Sequence, residues 1–171
     1  MTKTTIKIWK SIRPLRGKED GSAMVELAVS FSLLSVILLG VVEFGRVIYT
    51  AIEVTNAAHA AAQYASTSHS AATDWSVSGS TYSGGIVNAA AADAANMSGL
   101  TVTNIGISCK CANSSYVPSS CSDNTTCSSH YTQMVETVTV QTQASYKPIF
   151  QFPRSGSFTL TGNASQVVSN Q

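Results

Sequence analysis

The sequence predicts an α+β chain: a long N-terminal helix, transmembrane over its first half, then a short helix and a three-stranded antiparallel sheet. Three observations predict it. From Ala23 to Val42 twenty residues carry a single ionised group, Glu26, and at about 1.5 Å of rise each they match the roughly 30 Å of a hydrocarbon core. Val47, Ala51, Val54, Ala58, Ala61 and Ala65 then recur every three or four residues, which is one face of a continuing helix. Beyond Gly99, three stretches alternate apolar with polar residues, the period of half-buried strands.

Charge sets the orientation. Residues 1–20 hold six basic and two acidic side chains, a net +4, and are broken by Pro14 and Gly17; they read as a cytoplasmic leader, residues 1–21, without a fold of its own. The other 151 residues hold four basic and seven acidic side chains, a net −3, which leaves no basic surface for nucleic acid. A basic flank keeps its side of an apolar helix in the cytoplasm, so the remainder is expected to be exported. A cleavable secretory signal peptide is the competing reading, but its apolar core would be only about 7–15 residues long.

The long helix is expected over residues 22–66, its membrane part over about 23–42, and the exported α+β domain over 67–171. Glu43 and Arg46 stand three apart where the helix leaves the bilayer, as an ion pair or as two solvated charges. Ser66-Thr67-Ser68-His69-Ser70 ends the helix with poor helix formers. A Ser/Thr/Gly-rich stretch follows, anchored by Trp75 and Tyr82. Ile86 to Met97 is alanine-rich and reads as the short helix, with Gly99 as its C-terminal cap. The first strand starts near Leu100 with a phase slip near Asn104. The second runs from Val135 to Tyr146 and stops before Pro148. Phe150, Phe152 and Pro153 connect to the third, Ser157–Val168.

Cys109, Cys111, Cys121 and Cys127 all lie in the exported part, where an even, clustered set favours disulfides. Their spacing lacks the paired Cys-x-x-Cys of structural zinc sites, so His130 nearby is not taken as a ligand and no metal or cofactor is expected. Cys109 and Cys111 share one strand face and are too close along it to pair with each other. A loop closing as a hairpin suggests nested bridges, Cys109 to Cys127 and Cys111 to Cys121, with the crossed pairing as the alternative. His59 and His69 have no matching partner set and read as ordinary polar or half-buried residues. Four Asn-x-Ser/Thr triplets, at Asn96, Asn113, Asn124 and Asn163, are what a Ser/Thr-rich chain produces by chance. No nucleophile elbow or phosphate loop occurs, which argues against an enzyme.

Glu26 lies about one turn into the membrane helix. A carboxylate costs about 2.5–3.5 kcal/mol at the bilayer centre and less near an end, so it either snorkels to the headgroups or has a partner. Gly21-Ser22-Ala23-Met24-Val25-Glu26, after a basic leader and before an apolar helix, resembles the processing site of type IV prepilins and pseudopilins. The continuation Glu26-Leu27-Ala28 through Gly40-Val41-Val42-Glu43-Phe44-Gly45-Arg46, and the alanine-rich 57–62, look more narrowly like the TadE-like pseudopilins of tight-adherence (Flp) pilus systems. The resemblance covers roughly residues 17–66. Ser32 stands where the family is expected to have proline, and Gln63 where it is expected to have arginine; neither touches the processing site.

The resemblance implies a pilin-like, membrane-anchored structural subunit, cut between Gly21 and Ser22 by a prepilin peptidase. It implies work beside other pilins, a sister pseudopilin and an inner-membrane assembly platform. Glu26 would then offset the amino-terminal charge of Ser22 in a neighbouring subunit, favouring one axial stagger. Two other functions compete: an uncleaved membrane-tethered binding or adhesion domain that recognises a ligand through its disulfide loop, and, with little support, a tethered hydrolase.

Overall fold

The computed structural model describes residues 20–112, 117–118, 121, 127, 133–149 and 156–168. Residues 1–19 of the leader, His130 and the connector at Phe150, Phe152 and Pro153 lie outside them. Helix α1 (Asp20–Ser66) is one unbroken element of 47 residues, starting two residues before the expected Ser22. No proline interrupts it. The hydroxyls of Ser32 and Ser35 donate to the carbonyls of Val29 and Phe31, each at 2.8 Å. An apolar surrounding therefore meets no unpaired hydroxyl at either serine.

The chain divides into two units between Val41 and Val42. In the first, residues 21–41 are a single helix, exposed at nearly every position, and α1 is the one described helix long and apolar enough to cross a membrane. The second takes in the rest of α1, which buries Val54, Ala57, Ala58, Ala61, Ala62 and Ala65 completely. That is the expected alanine face, widened by Ala57 and Ala62. Side chains this small let backbones approach, and extra methylenes in such a seam cost about 1–3 kcal/mol.

At the end of α1 the backbone N–H and hydroxyl of Thr67 both turn back to the carbonyl of Tyr64, at 3.2 and 2.8 Å. A short α2 (His69–Ala72) follows, its Ser68 cap accepting the N–H of Ala71 at 3.2 Å. Strands β1 (Ser76–Ser78) and β2 (Thr81–Ser83) then form a small hairpin. Trp75 and Tyr82 pack their rings 5.8 Å apart against the core, as the anchors expected there.

Helix α3 (Gly85–Asp93) is shorter than expected. It stops four residues before Met97, whose N–H closes a turn onto the carbonyl of Ala94 at 2.9 Å so that its side chain packs against the core. Gly99 is not the helix cap. It lies at φ +84° and turns the chain into β3 (Leu100–Cys111).

The sheet is antiparallel with order β3-β4-β5, completed by β4 (Met134–Tyr146) and β5 (Phe158–Val167). The phase slip near Asn104 is a register shift between Val102 and Asn104. Along β4 every second residue is buried, from Met134 to Tyr146. Val138, Val140 and Ala164 pack in one core with the alanines of α1. The helix is seated on this sheet at one backbone point. Thr142, fully buried, donates its hydroxyl to the carbonyl of Val54 at 2.7 Å. Its register partner Gly162 lies so close that a Cβ there would stand 2.5 Å from the same oxygen.

Candidate functional site

The N-terminal part of the candidate site is the start of α1. Gly21 and Ser22 fall in its first turn and are exposed, and a Cβ at Gly21 would meet nothing within 4 Å. No described residue shields the peptide bond between them. Glu26, one turn on, is exposed, and no described residue of its own helical segment pairs with it.

The second part is the residue group where α1 enters the compact unit. Glu43 and Arg46 do pair, at 3.4 Å, and Glu43 has stronger partners than that. One oxygen, Oε1, accepts the hydroxyl of Tyr146 at 2.6 Å and the backbone N–H of Ile149 at 3.2 Å. The Arg46 guanidinium stands 5.5 Å from the centre of the Tyr146 ring, whose other neighbour is Phe158 at 5.2 Å. The Glu-Phe-Gly-Arg segment thus fastens the end of β4 to the helix just past the apolar run. Spacing alone pointed to the ion pair. Tyr146, 103 residues away, left no local signal.

Burial pushes the Tyr146 phenol above its ordinary value of 10, and the hydrogen bond to Glu43 pushes it the same way. A folded-state value above the unfolded one means that this group's contribution to stability is complete below about pH 10. It is lost as pH rises through the folded value. Spectrophotometric titration at alkaline pH should therefore find Tyr146 ionising late. Glu43→Gln, which removes the charge and the strong acceptor together, should bring it back toward 10. An unchanged Tyr146 titration in that variant would show that the carboxylate does not hold it.

All four cysteines are bonded, but the expected nesting is overturned. Cys109 joins Cys121 and Cys111 joins Cys127, with Cα atoms 5.6 and 5.5 Å apart. The reason lies in the strand register. Cys111 is the last residue of β3 and faces Met134, the first of β4. Cys127, the cysteine closest in sequence to Met134, is brought in beside Cys111, leaving Cys121 to reach back to Cys109. The four half-cystines and Met134 form a small second core. Among the described residues no three His, Cys, Asp or Glu side chains stand together as a metal site.

Two further polar contacts were not foreseen. Nδ1 of His69 stands 2.8 Å from Oε2 of Glu136, whose side chain is fully buried. The hydroxyl of Tyr64 donates to Asp74 Oδ2 at 2.8 Å, beside Gly85, where any Cβ would collide with both groups. Each ties the start or end of a helix to a distant segment, and neither lies in a cleft with convergent chemistry. A cavity of about 250 Å³ between β2, α3 and β3 is lined by small and apolar side chains together with Ser80, Thr81, Thr101 and Tyr82.

Comparison with known proteins agrees with the resemblance. Residues 21–63 match the family model described as TadE-like protein. The match begins at Gly21, includes Glu26 and the Glu43–Arg46 segment, and ends within the alanine face. No curated protein and no solved structure matches the chain.

Proposed function

We propose that this chain, TadE-like over residues 21–63, is a non-enzymatic, pseudopilin-type structural subunit of tight-adherence pilus biogenesis. A prepilin peptidase cuts its leader between Gly21 and Ser22. The mature subunit sits in the bacterial inner membrane as a single-pass protein with its N-terminal side cytoplasmic and its α+β part exported. Other pilins or pseudopilins and the inner-membrane assembly platform are its partners.

The observation that carries this reading is the coincidence of the family match with an exposed apolar helix starting at Gly21. The exposed Gly21–Ser22 peptide in the first turn of α1, without a bulky side chain at Gly21, is one a membrane peptidase could reach. The leader's net +4 supports the orientation, and the two disulfides suit an oxidising compartment on the far side. Glu43, Arg46 and Tyr146 fasten the end of β4 to the part of α1 that belongs to the compact unit.

Intact-mass spectrometry of the protein purified from its native membrane tests the reading. The expected chain begins at Ser22, with or without a methyl group on the new amine. A chain retaining residues 1–20 would sink the pseudopilin reading and leave a tethered binding domain in its place.

A further inference from the structure

Around the Glu43–Tyr146 clamp the compact unit exposes apolar side chains that its own core does not use. Phe44 is 67% exposed, Ile149 61% and Phe158 42%. Ile149 and Phe158 flank one residue group, and Phe44 follows it along α1. Glu43 binds both Tyr146 and the backbone of Ile149, Phe158 is the register partner of Tyr146, and Phe44 is next to Glu43. Arg46 and the exposed Lys147 sit among them. With Glu43 the local charge is +1, whereas residues 21–171 carry a net −3.

We propose that this end of the compact unit is a lipid-docking surface resting on the anionic headgroups of the membrane that α1 crosses. Phe44 follows Val42, the end of the apolar run, by two residues, or about 3 Å of helix rise. The chain itself therefore holds Phe44 close to headgroup level, and docking of its neighbours needs little area because the span has already confined the unit to the membrane. Aromatic and aliphatic side chains ringed by arginine and lysine suit the interface, where phosphates take the cations and the upper acyl region takes the rings. A second protein copy fits less well. Three part-exposed side chains offer far less than the roughly 800 Å² per partner that a stable protein interface buries. Docking would restrain the exported unit against the bilayer until the subunit is withdrawn from it.

The inference rests on the membrane-spanning reading of α1 and not on the pseudopilin role, and its test separates the two. The full chain is reconstituted in phosphatidylethanolamine/phosphatidylglycerol vesicles containing a trace of phosphatidylglycerol with a photoreactive group near its headgroup, and labelled peptides are mapped. Peptides holding Phe44, Ile149 and Phe158 should be labelled several-fold above the one holding Val77, which is 52% exposed in the β1–β2 hairpin. Lys147→Glu should lower the labelling of Ile149 by about fivefold. Ile149→Ser with Phe158→Ser should lower it at Phe44. Labelling of residues 23–42 by a probe at the acyl terminus reports insertion independently. Insertion with Ile149 and Phe158 no more labelled than Val77 would overturn the proposal, as would cross-links showing that a second copy covers them.

Discussion

Gly162→Ala should unfold the compact unit at markedly lower temperature, although it adds one methyl group to an exposed-looking strand. The added carbon would stand 2.5 Å from the carbonyl oxygen of Val54 and 2.8 Å from Cα of Thr55. Both are helix backbone, so no side chain can swing aside. Either α1 lifts from the sheet, losing the 2.7 Å bond from Thr142 to Val54 and opening the seam at Val54, Ala58 and Ala61, or β5 peels from β4. Overpacking of this kind costs about 1–3 kcal/mol, and the lost buried hydrogen bond adds about 1–3 kcal/mol more. For a unit of this size that is a fall in Tm on the order of 10 °C or more. Gly106→Ala is the control, since a Cβ there meets nothing within 4 Å, and it should stay within about 0.5 kcal/mol of the parent. Thermal melts in micelles followed by circular dichroism compare the two. Equal melting temperatures would mean that the helix and sheet are not seated on each other at Gly162.

What the sequence disclosed and what it hid follow one physical division. Features written in local period were legible: the twenty-residue apolar run, the alanine face, the alternation of β4 and the slip at Asn104 each arise from neighbours along the chain. Features set by which residue of one element meets which residue of another were not. Gly162 looks like any strand glycine until the register puts it under Val54. Tyr146 looks like the last residue of a strand until the helix brings Glu43 to it. The cysteines announced bonding but not pairing, because pairing depends on where the loop re-enters at Met134. Gly99 was misread for a related reason: a glycine four residues past the last alanine of the run suits a helix cap and a strand entry equally well, and the packing of Met97 against the core decides between them. The proposed processing role of Gly21 and Ser22, and the role of Glu26, come from resemblance to a motif. Their exposure on α1 leaves them available without itself assigning the role.

Glu26→Ala should abolish pilus assembly while leaving membrane insertion and cleavage intact. Removing a carboxylate from the first turns of a spanning helix lowers the cost of insertion, so the variant should reach the membrane at least as well as the parent. The proposed cleavage would create an amino group at Ser22, four residues or about 6 Å of helix rise before Glu26. Two neighbouring helices displaced along their axes by that distance place the amine of one beside the carboxylate of the other. In a low-dielectric bundle, stripping one partner from such a pair costs about 3–5 kcal/mol because the other charge is left uncompensated. That corresponds to subunit association weaker by roughly a hundred- to five-thousandfold. Glu26→Gln separates charge from shape: it keeps the size and hydrogen-bonding capacity of the side chain and should fail as the alanine variant does. Glu26→Asp keeps the charge and should retain part of the assembly. Surface pili counted by electron microscopy, beside the mature mass of each variant, decide the matter. Wild-type piliation in Glu26→Gln, with the chain correctly starting at Ser22, would refute the charge pair and return Glu26 to a side chain that only reaches for the headgroups.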